Sequence, residues 1–124
     1  MSNHEVSATN VNATQLFIGP RDVVTQATSI STGVTINATS GIITTVDPAL
    51  AAAAEAEFAV TNSFVAVGDV VLVCVGSGPS DNEHVFAFVS SVTLGAFTIV
   101  LSNLAAANQG DGAMTINFAV IKMP

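Results

Sequence analysis

Apolar and polar positions alternate with period two along much of the chain. "EAEFAVTN" sets Glu55, Glu57, Ala59 and Thr61 against Ala56, Phe58, Val60 and Asn62. "EHVFAFVSSV" sets His84, Phe86 and Phe88 against Val85, Ala87 and Val89, and "GAFTIVLSN" sets Phe97, Ile99 and Leu101 against Ala96, Thr98 and Val100. "AMTINFAVIK" sets Met114, Ile116, Phe118 and Val120 against Ala113, Thr115, Asn117, Ala119 and Ile121. Such alternation is the mark of strands with one face in a core. "DVVLVCVGS" is continuously apolar and β-branched, which predicts a strand covered on both faces.

The alanine-rich "LAAAAEAEFAV" is the one stretch whose composition favours a helix. Its period-two pattern from Glu55 onward is sharper than any helical stripe, so the alanines read as a connection and Glu55 to Asn62 as a strand. Upstream, "VTIN" and "IITTV" flank "ATSG" and predict a hairpin with Gly41 at the turn. "NQGDG" reads as a hairpin turn rather than a calcium loop, because it lacks alternating acids and a terminal Glu. Short strands separated by turn signals predict an all-β fold: an antiparallel β-sandwich, Ig-like or jelly-roll-like. Phe58, Val60, Leu72, Phe86, Phe97, Ile99, Ile116 and Phe118 are the expected core.

Residues 1–25 read as an extended N-terminal arm and residues 26–124 as the sandwich domain. Within the arm, Leu16, Phe17 and Ile18 form the first dense apolar cluster, before the Gly19-Pro20 turn signal. They are candidate contacts to a partner or neighbouring subunit, with Arg21 as a candidate ion-pair residue. A first core strand explains the cluster equally well.

Charge changes the picture most. Only 9% of the 124 residues are charged, and the net charge is -7 with two basic residues, Arg21 and Lys122. So few cations argue against direct binding to nucleic acid or to an anionic membrane. The plain Ala, Thr and Ser faces lack the charges that usually guard strand edges, and an oligomer is expected, a trimer foremost. The apolar runs are too short for a helical membrane span, and "MSNHEVSATNVNATQ" has neither the basic nor the apolar part of a secretory signal.

Candidate chemistry is sparse. Cys74, the single cysteine, sits in an apolar run and reads as a small buried hydrophobe rather than a reactive thiol. Asp81, Glu83 and His84 in "SDNEHV" fit no metal-ligand template, so a polar loop is the better reading. Glu55 and Glu57, two apart on a strand, share a solvent face rather than forming a catalytic pair. No nucleophile elbow or phosphate-cradling glycine loop occurs, and neither an enzyme nor a cofactor is expected.

"TGVTINATSGIITTVDPALAAAAEAEFAVTNSFVAVGDVVLVCV", "GAFTIVLSNL" and the terminal "INFAVIK" together resemble a small β-domain of tailed bacteriophages, of the kind in capsid decoration (cement) proteins and related phage structural proteins. The resemblance spans roughly residues 26 to 122. It implies an oligomeric, non-enzymatic virion part whose partner is the major capsid protein and whose place is the outer capsid surface. The alternative is a tail, collar or fibre knob that binds a host receptor. The lack of Trp and Tyr, the usual stacking residues for glycans, weighs against that alternative.

Overall fold

The computed structural model describes residues 21–78, 83–109 and 111–124. Its strands are β1 (Arg21–Thr25), β2 (Val34–Thr35), β3 (Ser40–Thr44), β4 (Glu55–Thr61), β5 (Val70–Ser77), β6 (Val85–Thr93), β7 (Ala96–Asn103) and β8 (Thr115–Ile121). They form two four-stranded sheets, β1-β3-β8-β5 (sheet A) and β2-β4-β7-β6 (sheet B), packed face to face as a β-sandwich. The all-β expectation holds, and the alanine-rich stretch is a connection that leads into β4 at Glu55.

The interior follows the period-two pattern. Phe58 and Val60 of β4, Phe97, Ile99 and Leu101 of β7, and Ile116, Phe118 and Val120 of β8 are all buried. Phe97 and Phe118 join the two sheets, with ring centroids 5.5 Å apart and planes inclined at 52°. Tilted pairs of this kind are a favoured aromatic contact.

Three features of the pairing correct the sequence reading. Pairing is antiparallel in the centre of each sheet, but β1 runs parallel to β3 and β2 parallel to β4. Residues 21–25, read from the sequence as part of the arm, are β1 of sheet A and so belong to the sandwich. The hairpin expected around Gly41 is absent: β2 and β3 lie in different sheets, and Gly41 sits inside β3. Ile36 and Ala38 are buried between them, which carries the chain through the sandwich instead of back along itself.

The "NQGDG" segment is likewise a crossing and not a hairpin turn, since β7 belongs to sheet B and β8 to sheet A. Among the described residues only β6 and β7 are joined as a tight hairpin, through Leu94 and Gly95, with Gly95 at φ 81°. Every other pair of consecutive strands lies in opposite sheets.

Crossing connections need anchors, and buried amides provide them. Gln26 Nε2 donates to the carbonyls of Ile30 (2.9 Å) and Thr32 (2.8 Å), which folds the β1–β2 connection back on itself. Asn62 Nδ2 donates to the Ala38 carbonyl at 2.6 Å, and its Oδ1 accepts from the Phe64 N–H at 2.9 Å. Asn103 Nδ2 lies within 3.2 Å of the Leu50 carbonyl and 2.9 Å of those of Ala51 and Ala107. One side chain thereby ties the β3–β4 connection to the β7–β8 connection.

Candidate functional site

In a two-layer sandwich each sheet has one face on the core and one face outward. The outward faces are where this chain departs most from the sequence reading, and they are its candidate docking sites.

On sheet A, the register aligns Arg21, Ser40, Ala119 and Leu72 in one transverse row, and Val23, Ile42, Asn117 and Cys74 in the next. Val70 and Ile121 pair beside them. The result is an apolar surface in which Arg21, at the β1 edge, is the single charged side chain among the outward strand positions. Leu72, expected in the core, is 55% exposed. Cys74 is exposed too, and β5 is covered on one face only. The physical reason is layer count: among the described residues no third layer covers β5, so the alternate apolar positions of its run face outward. A shallow depression of about 230 Å³ lies along Leu72, Cys74, Asn117 and Ala119. At the far end of this face, Ser77 and Thr115 hydroxyls hydrogen-bond across the strands at 2.9 Å.

On sheet B, Glu57, Val100 and Phe88 form one row, and Glu55, Ser102 and Phe86 the next. Phe86, also expected in the core, is 52% exposed. Its register opposite Ser102 puts it on the outward parity, and Val85, Ala87 and Val89 take the inward positions. The two glutamates share the solvent face, as their spacing implied. A groove of about 370 Å³ runs between the glutamates and Phe88, floored by Val100.

Two of the four sheet edges are long and uncharged. β5 and β6 are the outer strands of the two sheets on the same side of the sandwich, and neither carries a charged residue. Long edges without charge are open to further pairing.

Of the candidate contacts, Leu16, Phe17 and Ile18 lie outside the described residues. Arg21 is exposed on β1 and makes no ion pair among the described residues. Asp81 also lies outside the described residues, while Glu83 and His84 form a turn leading into β6. Among the described residues no group of three His, Cys, Asp or Glu side chains is placed to hold a metal ion.

One ionic arrangement is well built. Asp69, in the β4–β5 connection, has a buried carboxylate that accepts from the Ala66 N–H at 2.9 Å and the Met123 N–H at 3.2 Å. It also pairs with Lys122, whose Nζ donates to the Phe64 carbonyl at 2.6 Å. The Lys122 hydrogen bond, followed by the Ala66 N–H, holds the Asp69 pKa below its ordinary 3.8. This cluster clasps the end of β8 to the β4–β5 connection, and its role is structural.

The exposed Leu72, Phe86 and Phe88 are the residues the sequence reading missed. Their signal was present: "VVLVCV" and "VFAFV" are apolar at both parities, and in two layers one parity must face outward. Comparison of the chain with family models, curated proteins and solved structures finds no match. The likeness to phage decoration domains therefore rests on the quoted segments alone.

Proposed function

We propose that this protein is a non-enzymatic structural module that docks on the outer surface of a bacteriophage capsid as a decoration (cement) protein and bridges neighbouring capsomers. The observation that supports this reading is the outward face of sheet A. It presents Val23, Ile42, Val70, Leu72, Ala119 and Ile121 with one charge at its margin. A soluble monomer gains nothing from such a face, whereas a subunit seated on an assembly, or closed into a trimer, buries it. The major capsid protein is the partner in this reading, and no cofactor, nucleic acid or membrane takes part.

Attachment combines this face with the N-terminal segment, in which Leu16, Phe17 and Ile18 supply apolar anchors and Arg21 an ionic one. Burying a side chain of that size contributes about 1.5–3 kcal/mol, and symmetric repetition multiplies it. The test is binding to capsids that lack the protein, followed by co-sedimentation. Deletion of residues 1–14, Phe17→Ala and Leu72→Glu are each expected to weaken binding while the circular dichroism spectrum stays that of a β protein. Wild-type binding by all three overturns the attachment scheme, and failure of the wild-type protein to bind capsids overturns the decoration role.

A second reading, a tail, collar or fibre knob that binds a host receptor, has one observation in its favour. Phe86 and Phe88 stand half-exposed on sheet B, where they offer rings to a ligand although the chain lacks Trp and Tyr. Retention of the protein on isolated tails rather than capsids is the outcome that selects it.

A further inference from the structure

We propose that the groove on the outward face of sheet B binds an extended, arginine-bearing polypeptide segment. The inference concerns the face opposite the one assigned above to docking, and it does not rest on the virion reading.

The groove has one wall of carboxylates, Glu55 and Glu57, and one formed by Phe88 and Ser90, with Phe86 in the adjoining row of the sheet. Glu55 and Glu57 stand on β4, Phe86 and Phe88 on β6, and Val100 and Ser102 of β7 lie between them. Strands neighbour at about 4.8 Å, so the two walls stand about 10 Å apart. Val100 is 6% exposed although it points outward, so the flanking side chains enclose the floor.

Charge selects the occupant. The chain has two basic side chains: Lys122 is held by Asp69, and Arg21 lies on sheet A. Neither is on sheet B, so Glu55 and Glu57 have no lysine or arginine of their own chain beside them. A purely apolar occupant would strip water from both carboxylates and return no partner. A guanidinium satisfies both walls, because its fork matches a carboxylate and its flat face stacks on an aromatic ring.

Spacing selects the shape. Glu55 and Glu57 are two apart on one strand, about 6.8 Å along it, and so are Phe86 and Phe88. A partner in extended conformation repeats with the same period. Arginines two residues apart on such a segment meet the two rows in turn, while the residue between them points away. A helix presents its side chains at three- and four-residue intervals and does not match.

The test is amide chemical-shift titration of the isotope-labelled full chain with the blocked tripeptide Arg-Thr-Arg. The blocked tripeptide Gln-Thr-Gln and the neutral sugar maltotriose serve as comparisons. Saturable shifts are expected at residues 55–57, 86–90 and 98–102 with the arginine peptide, weakening as salt is raised. The double substitution Glu55→Gln with Glu57→Gln is expected to weaken binding about tenfold, and Phe88→Ser about fivefold. The glutamates are exposed, so the double variant keeps the test valid even where Phe88→Ser fails to fold. Equal shifts with Gln-Thr-Gln or maltotriose, unchanged affinity in the double variant, or no saturable shift at millimolar peptide each overturn the proposal.

Discussion

Asn103 does the work of several residues. Its amide holds three carbonyls from two connections, and its Oδ1 accepts from the Ala105 N–H at 2.9 Å. Asn103→Ala removes these side-chain bonds. The Leu50 and Ala51 carbonyls keep the N–H groups of Gln109 and Ala54, while the Ala105 N–H loses its side-chain acceptor, and the change is expected to cost about 2 kcal/mol. Urea denaturation checks it: the midpoint should fall with the slope unchanged. Ala53 is the opposite case, a residue working against its surroundings at φ 59°. The left-handed region costs a non-glycine residue about 1–2 kcal/mol, and glycine's extra unfolded-state entropy returns about 0.4–1 kcal/mol of that. Ala53→Gly is therefore expected to raise the thermal midpoint slightly, by about 0.5 kcal/mol of stability. A fall in the midpoint refutes it. The Asp69–Lys122 clasp gives a pH signature. The folded pKa of Asp69 lies below 3.8, so ionised Asp69 stabilises the fold above that value. The contribution is lost as pH falls from 3.8 through the lower folded value. Lys122→Met removes the largest cause of the shift, and its acid unfolding is expected to begin at higher pH than that of the natural chain, as followed by circular dichroism.

At the scale of elements, β3 is the tightest point of sheet A. A Cβ on Gly41 would lie 2.6 Å from the Asp22 carbonyl oxygen, 2.8 Å from Ile36 Cδ1 and 3.0 Å from the Phe118 ring. Alanine is ordinarily better than glycine inside a strand by about 0.5–1 kcal/mol. Here the contact with the backbone of β1 outweighs that gain, and Gly41→Ala is expected to destabilise by about 2 kcal/mol. Hydrogen exchange should show the β1 amides opening first, because among the described residues β1 is an edge strand paired with β3 alone. Unaltered protection of β1 would show that the sheet absorbs the methyl group. β6 tells a different story. Its apolar residues at both parities are compatible with either face inward, and its pairing with β7 decides which parity meets the core.

At the scale of the molecule, the decisive feature is that the described residues form two layers and no third. The outward face of sheet A and the uncharged β5 and β6 edges leave apolar surface that a subunit of an assembly covers. Sedimentation at micromolar concentration is expected to show a trimer or other closed oligomer. Leu72→Glu, at a position already open to solvent, is expected to shift that equilibrium toward monomer without changing the β spectrum. A monomeric natural chain counts against self-assembly through this face.

Period-two alternation by itself determined that the chain is all-β, where β4, β7 and β8 run, and that Phe58, Phe97, Ile99, Ile116 and Phe118 are buried. Those strands alternate cleanly enough that only one face can turn inward. Tertiary structure alone decided the rest. The sequence around Gly41 is compatible with a hairpin, and only the placement of β2 and β3 in opposite sheets shows that glycine to be an interior close approach. In the same way, Leu72, Cys74, Phe86 and Phe88 sit in runs that are apolar at both parities. Local pattern cannot rank two apolar faces. The ranking comes from the register with neighbouring strands and from the number of layers, which are properties of the assembled fold.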